Sequence, residues 1–258
     1  MKPTCIAISG SDPSCGAGAQ LDIRVMEIFN VRPLSVITAI TVQNGDEVSD
    51  FFSVPKDYLI KQLESLFSLN QPAACKIGML TEDSVAALFE FFESRENLNI
   101  PIILDPILKS SSGFSFLAKE KFTRIFKHCA LVTPNIPEME VFVGFKIETY
   151  SDIENSLVSF SNKYYCPQVL LKGGHKLEFA GKDFLYSDGH VVEISETKHN
   201  ITEDIHGTGC FLSTAIASCL ANGMELEDSI RLAKKKLVEY AENSILPHQA
   251  KKRIFSFS

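Results

Sequence analysis

Short runs of apolar, often β-branched residues alternate along this chain with stretches in which apolar positions recur every three or four residues. The runs at 4–9, 35–41, 74–77, 102–105, 131–133 and 169–172 are bounded by turn residues and largely apolar on successive positions, the pattern of inner strands covered on both faces. Helical periodicity occupies 20–29, 55–68, 82–94, 118–126, 137–143 and 151–164. Strand followed by helix, repeated, predicts an α/β fold with a mostly parallel central sheet and helices on both faces. Thr81 is placed to cap the 82–94 helix, with Glu82 and Asp83 in its first turn. Pro55 and Pro137 suit a first helical position, where a missing N–H costs nothing. From 181 to 196 two alternating runs flank Asp188-Gly189, which predicts a small appended hairpin. Two more helices are predicted at 209–222 and 227–243, with Gly223 ending the first in a left-handed conformation.

Composition narrows the setting. The 258 residues contain no repeat or linker, so one domain spanning 1–258 is expected. A content of 45% hydrophobic and 22% charged residues is globular and excludes a mostly disordered chain. The net charge of −7 argues against a broad nucleic-acid surface, so an anionic ligand must be met locally by amides and a few cations. Seven scattered cysteines without a CxxC pair fit a reducing cytoplasm. No apolar stretch approaches the roughly 20 residues of a membrane helix, and no targeting segment is expected at the N-terminus.

Two glycine-rich segments carry candidate chemistry. Ser9-Gly10-Ser11-Asp12-Pro13-Ser14-Cys15-Gly16-Ala17-Gly18 follows the first strand and opens a helix, where small residues admit close backbone approach; it also reads as a structural turn, and it is not the dinucleotide GxGxxG spacing. His206-Gly207-Thr208-Gly209-Cys210 precedes a strongly apolar helix, so the amides of 207–210 are expected to converge on an anion. Cys210 falls where a helix N-terminus lowers a thiol pKa, fitting it to accept a proton from an attacking hydroxyl. The alternatives are a small buried hydrophobe, or a Cys–His nucleophile pair with His206.

Together with Lys76-Ile77-Gly78-Met79-Leu80, Asp105-Pro106, Thr133-Pro134-Asn135-Ile136-Pro137-Glu138 and Lys172-Gly173-Gly174-His175, these segments occur in an order and spacing that resembles the hydroxymethylpyrimidine and phosphomethylpyrimidine kinases of thiamine biosynthesis, members of the ribokinase-like superfamily. The resemblance implies a magnesium- and ATP-dependent kinase, homodimeric, acting on a pyrimidine alcohol, its monophosphate, or both. By it, Asp22, Gln43, Gly10 and Met79 contact the pyrimidine, and the carboxylate and carboxamide suit a ring nitrogen and an exocyclic amine. Asn135 and Glu138, with Asp105, organise magnesium and its waters. Lys172, with Asp105 and Asn135, meets the nucleotide phosphates. Gly207, Thr208 and Gly209 supply amides to the transferred group, and Cys210 takes the proton. Taken singly, Asn135 and Glu138 also read as helix caps, and Asp22 as an acid near a helix start. The serine-rich segment 109–113 is a candidate cover, and Lys176 a further candidate cation.

Relatives with this motif set phosphorylate vitamin B6 compounds, so pyridoxine or pyridoxal kinase activity is the alternative reading. A sugar kinase fits less well, because such enzymes place aspartate where Cys210 stands. A non-catalytic ligand-binding protein is the reading from another class. Two departures from the family pattern stand out: Cys15 in place of a frequent glycine, and a longer, more polar segment at 198–205.

Overall fold

The chain lays down β1 (Thr4–Ser11), α1 (Gly18–Ile28), β2 (Arg32–Gln43), β3 (Val48–Ser53), α2 (Lys56–Leu69), β4 (Ala74–Ile77), α3 (Glu82–Glu93), β5 (Ile102–Leu104), α4 (Lys119–Phe126) and β6 (Leu131–Val132). It continues with α5 (Ile136–Val143), α6 (Tyr150–Tyr164), β7 (Val169–Lys172), β8 (Lys182–Ser187), β9 (His190–Ser195), α7 (Thr208–Ala221) and α8 (Leu226–Glu242). This is a computed structural model, and it describes residues 2–95, 98–109, 113, 115–174, 179, 181–195 and 204–257. His175, Lys176, residues 198–203 and most of 109–113 therefore lie outside the described residues.

The described strands form one sheet in the order β3-β2-β1-β4-β5-β6-β7-β8-β9. β2 through β7 pair in parallel, and antiparallel β3 closes one edge while the β8–β9 hairpin closes the other. The alternation of side chains along each strand divides the core into two layers. Ile6, Ile8, Ile77, Leu104 and Leu171 face α2 to α6, whereas Cys5, Ala7, Ile103, Leu131 and Leu170 face α1, α7 and α8. α7 is buried on nearly every side because it lies between the sheet and α8, which explains its apolar sequence.

Most local signals act as expected. Thr81 accepts the Ser84 amide in a capping box that opens α3. Gly223, at φ 81°, follows α7. Asp188 and Gly189 both have positive φ, 51° and 83°, as a two-residue hairpin turn of matching twist requires. Pro55 is the N-cap of α2 and Pro137 the second residue of α5, each one place from the expected position. The edge strand β3 was not expected: Val48-Ser49-Asp50-Phe51-Phe52-Ser53 has no buried face to impose alternation.

Strand order turns outward from β1, which has β2 on one side and β4 on the other. In such sheets ligands bind beyond the carboxyl ends of the strands near this switch. A cavity of about 850 Å³ lies there, lined by residues that end or follow each parallel strand: Ser9 to Ser11, Gln43, Met79, Asp105, Asn135 and Lys172.

Candidate active site

The loop after β1 is organised by Asp12. Its Oδ1 accepts the Ser14 amide at 2.8 Å and the Ser14 hydroxyl at 2.7 Å, and its Oδ2 accepts the Ala17 amide at 2.8 Å. His206 Nε2 lies 3.1 Å from the same Oδ2, which ties this loop to the segment before α7. Burial alone would raise the Asp12 carboxyl; the hydrogen bonds from His206 and Ser14 outweigh it and hold the group below the usual range. Gly18 opens α1 at φ 61°, where a Cβ would run into the Gly10 carbonyl oxygen. Cys15 adopts φ 58°, a conformation that favours glycine.

Gly10, Gln43 and Met79 all line the cavity. A Cβ on Gly10 would come within 2.7 Å of the Met79 sulfur, so a larger residue here would make the Met79 side chain move. Asp22 is different. It is fully buried, is not part of the cavity wall, and its carboxylate is taken up by four hydrogen bonds. Lys76 Nζ lies 2.8 Å from each oxygen, Ser9 Oγ 2.5 Å from Oδ2 and Thr214 Oγ1 2.6 Å from Oδ1. In the free protein the Asp22 carboxylate, expected to contact the substrate, is thus engaged by Lys76, Ser9 and Thr214. Burial would depress the Lys76 ammonium, and Asp22 beside it raises it instead.

Gly207, also on the cavity wall, is the N-cap of α7 with φ 87°, where a Cβ would collide with the Gly16 carbonyl oxygen. A Cβ on Gly209 would stand 3.2 Å from both Asp105 Oδ2 and Lys172 Nζ. The glycines thus let the first turn of α7 approach the Lys172–Asp105 pair, whose Nζ–Oδ1 distance is 2.7 Å. Amides at a helix N-terminus beside a lysine suit an anion. Burial would lower the Lys172 ammonium, but Asp105 and Glu138 raise it, so it is a cation in the free cavity.

Cys210 lines the cavity in the same turn. Its thiol is pushed up to about 11 by burial, with Lys76 opposing and Asp22 and Asp105 adding to the rise. The direction is therefore opposite to the lowering expected from the helix end, and burial is its main cause. The Cys–His pair is not formed either, since His206 turns its Nε2 to Asp12.

Asn135 and Glu138 form a reciprocal capping box at the start of α5: Asn135 Oδ1 accepts the Glu138 amide and Glu138 Oε2 the Asn135 amide, both at 2.8 Å. Both residues also line the cavity. Burial pushes the Glu138 carboxyl up to about 7, with Lys172 lowering it and Asp105 raising it further. A buried carboxyl raised in this way gains by meeting a cation. Among the described residues no three His, Cys, Asp or Glu side chains converge as a closed metal cage. Asp105 and Glu138 with Asn135 fit a magnesium ion that keeps waters and takes phosphate oxygens, because such an ion needs few protein ligands.

One cavity-lining pair escaped the sequence reading. Lys234 of α8 and Asp183 of β8 meet at 2.5 Å, both nearly buried, and Asp183 Oδ1 also accepts the Gly173 amide at 3.2 Å. Lys234 stands first in Lys234-Lys235-Lys236, and only the helical period of Ile230, Ala233 and Leu237 marks it as the inward one.

The glycine-rich start of α7, Lys172, Gly10, Gln43 and Met79 thus line one cavity over the strand ends of the sheet, an arrangement suited to a small-molecule phosphotransferase. The chain belongs to the phosphomethylpyrimidine kinase family, whose profile matches residues 12–253. A hydroxymethylpyrimidine/phosphomethylpyrimidine kinase of Aquifex aeolicus is 33% identical over 247 residues, spanning 93% of this chain and 94% of the relative. One of Staphylococcus aureus is 31% identical, spanning 91% and 87%. The crystal structure of phosphomethylpyrimidine kinase from Clostridium difficile superposes with a TM-score of 0.76 at 32% identity, over 92% of this chain and 99% of that one. The pyridoxal kinase of Staphylococcus aureus in complex with AMP-PCP and pyridoxal shares the fold, with a TM-score of 0.84 at 24% identity over 99% and 93%. No described helix is long and apolar enough to cross a membrane.

Proposed function

We propose that the protein transfers the γ-phosphoryl group of ATP to the hydroxymethyl oxygen of 4-amino-5-hydroxymethyl-2-methylpyrimidine, and to the phosphate of the resulting monophosphate, in thiamine biosynthesis. The observation that carries this reading is the adjacency, in one cavity, of Gly10, Gln43 and Met79 to the 207–210 turn and Lys172. Gln43 offers both a donor and an acceptor to the aminopyrimidine edge. Amides of Gly207 to Cys210 and the Lys172 ammonium meet the charge on the transferred group, where fixed dipoles act without reorganisation. Cys210 would accept the alcohol proton as a thiolate; burial keeps its thiol protonated in the free cavity, so the thiol proton must first pass to solvent before the alcohol proton is taken. A magnesium ion held by Asp105, Glu138 and Asn135 would neutralise charge between phosphates. Asp22 and Lys76 hold the floor beneath these groups.

Coupled ADP release with Mg-ATP tests the proposal, using hydroxymethylpyrimidine, its monophosphate, pyridoxal and ribose in separate reactions. Turnover with the pyrimidines at a kcat/KM at least tenfold above pyridoxal is expected. Preference for pyridoxal would transfer the protein to the vitamin B6 kinases, and binding without ADP release would make it a ligand-binding protein.

A further inference from the structure

Gln43 ends β2, and the turn that follows extends the same cavity wall through Gly45, Asp46 and Glu47. β3 is an edge strand, so the sheet supports this turn from one side alone. Asn44 organises the turn from within, its side-chain oxygen accepting the Asp46 amide at 3.1 Å and the Glu47 amide at 3.0 Å. The Asp46 side chain leaves the turn. The Lys251 amide lies 2.9 Å from both its oxygens, and the Lys252 amide 2.9 Å from Oδ1. Two successive amides aimed at one carboxylate make a small anion nest. The Lys251 hydrogen bond holds the Asp46 carboxyl below its usual range.

The same segment is tied to the phosphate side. Arg253 donates its amide to Asp204 O at 3.0 Å, and the His206 amide donates to Arg253 O at 2.8 Å. Two residues on, Phe255 is buried against Phe211 of α7, with ring centroids 4.8 Å apart. A run of hydrogen bonds therefore leads from the turn after Gln43, through Asp46 and residues 251–253, to His206, the residue before Gly207.

We infer that Asp46 is a positioning residue and that residues 251–253 form a strap fixing the pyrimidine wall relative to the phosphate loop. In-line transfer needs the alcohol oxygen about 3–3.5 Å from phosphorus, and the walls that hold the two reactants come from opposite ends of the chain. Residues 251–253 join them from outside the cavity lining. The identity of the held alcohol rests on the pyrimidine kinase reading; the strap itself rests on geometry alone.

Asp46→Ala and Asp46→Asn test it, by hydrogen–deuterium exchange of the free protein and by steady-state kinetics. In Asp46→Ala, amides of both 44–48 and 251–253 exchange faster, KM for the alcohol rises roughly tenfold, and KM for ATP stays within about twofold. Asp46→Asn, which keeps one acceptor oxygen, lies between wild type and Asp46→Ala, and it carries the test if the alanine variant does not fold. Unchanged exchange at 251–253, or an unchanged alcohol KM alongside faster exchange, overturns the inference. Faster exchange in a protein that turns over no pyrimidine supports the strap and overturns the substrate reading instead.

Discussion

Lys76 and Asp22 sit opposite each other where no water reaches, and each charge is tolerable because of the other. Their ammonium and carboxylate join β4 to α1, and Ser9 and Thr214 extend the network to β1 and α7. Lys76→Met would leave the Asp22 carboxylate buried with two hydroxyl donors and no cation, a change that typically costs about 3–5 kcal/mol. Urea unfolding should show that loss, and the double variant with Asp22→Asn should recover most of it; a single variant as stable as wild type would contradict this account. None of this was legible in sequence. Asp22 reads as an acid near a helix start, and its partner lies 54 positions away in a strand. The one visible hint is a lysine inside the apolar run Ala74-Cys75-Lys76-Ile77, on the face shared with Ala74. By contrast, the glycine-rich segments holding Gly10, Gly207 and Gly209 were legible as clusters, and Gly207, at φ 87° with the Gly16 carbonyl oxygen in the path of a Cβ, is the one whose backbone demands glycine.

At the scale of elements, the sequence conveys strands and helices where one face is buried and loses them where none is. β1, β4 and β7 are covered on both faces and announce themselves; β3, at the edge, does not. The start of α5 shows how one local motif serves two ends. Asn135 and Glu138 cap the helix, as their spacing predicts, and the same burial places Glu138 on the cavity wall with its carboxyl raised to about 7. For a folded-state pKa above the unfolded value, the stabilisation is fully present below the unfolded pKa and is lost as pH rises through the folded one. Between pH 5 and pH 8 the wild type therefore loses stability that Glu138→Gln does not, while the glutamine oxygen still accepts the Asn135 amide. The melting temperature of Glu138→Gln relative to wild type should rise over that interval, and its kcat/KM for ATP should fall at least tenfold. Retained activity would assign Glu138 to capping alone.

Across the whole molecule, the parallel strands deliver their polar ends to one rim, while the α1–α7–α8 layer sets the glycine-rich start of α7 against it. The alternation of strand and helix made this architecture legible. The meeting of Gln43, Lys172 and Cys210 follows from that architecture together with the family pattern, whereas the strap through 251–253 depends on tertiary closure alone. The account centres on phosphoryl transfer at the start of α7 with the Cys210 side chain as proton acceptor. It is tested most directly by mass spectrometry of the products formed from Mg-ATP and hydroxymethylpyrimidine by wild type and by folded Cys210→Ala. The account predicts a phosphorylated pyrimidine, formed roughly 10²–10⁴-fold more slowly by the variant. Equal rates would remove Cys210 from the chemistry, and ATP consumption without a phosphorylated pyrimidine would contradict the transfer itself.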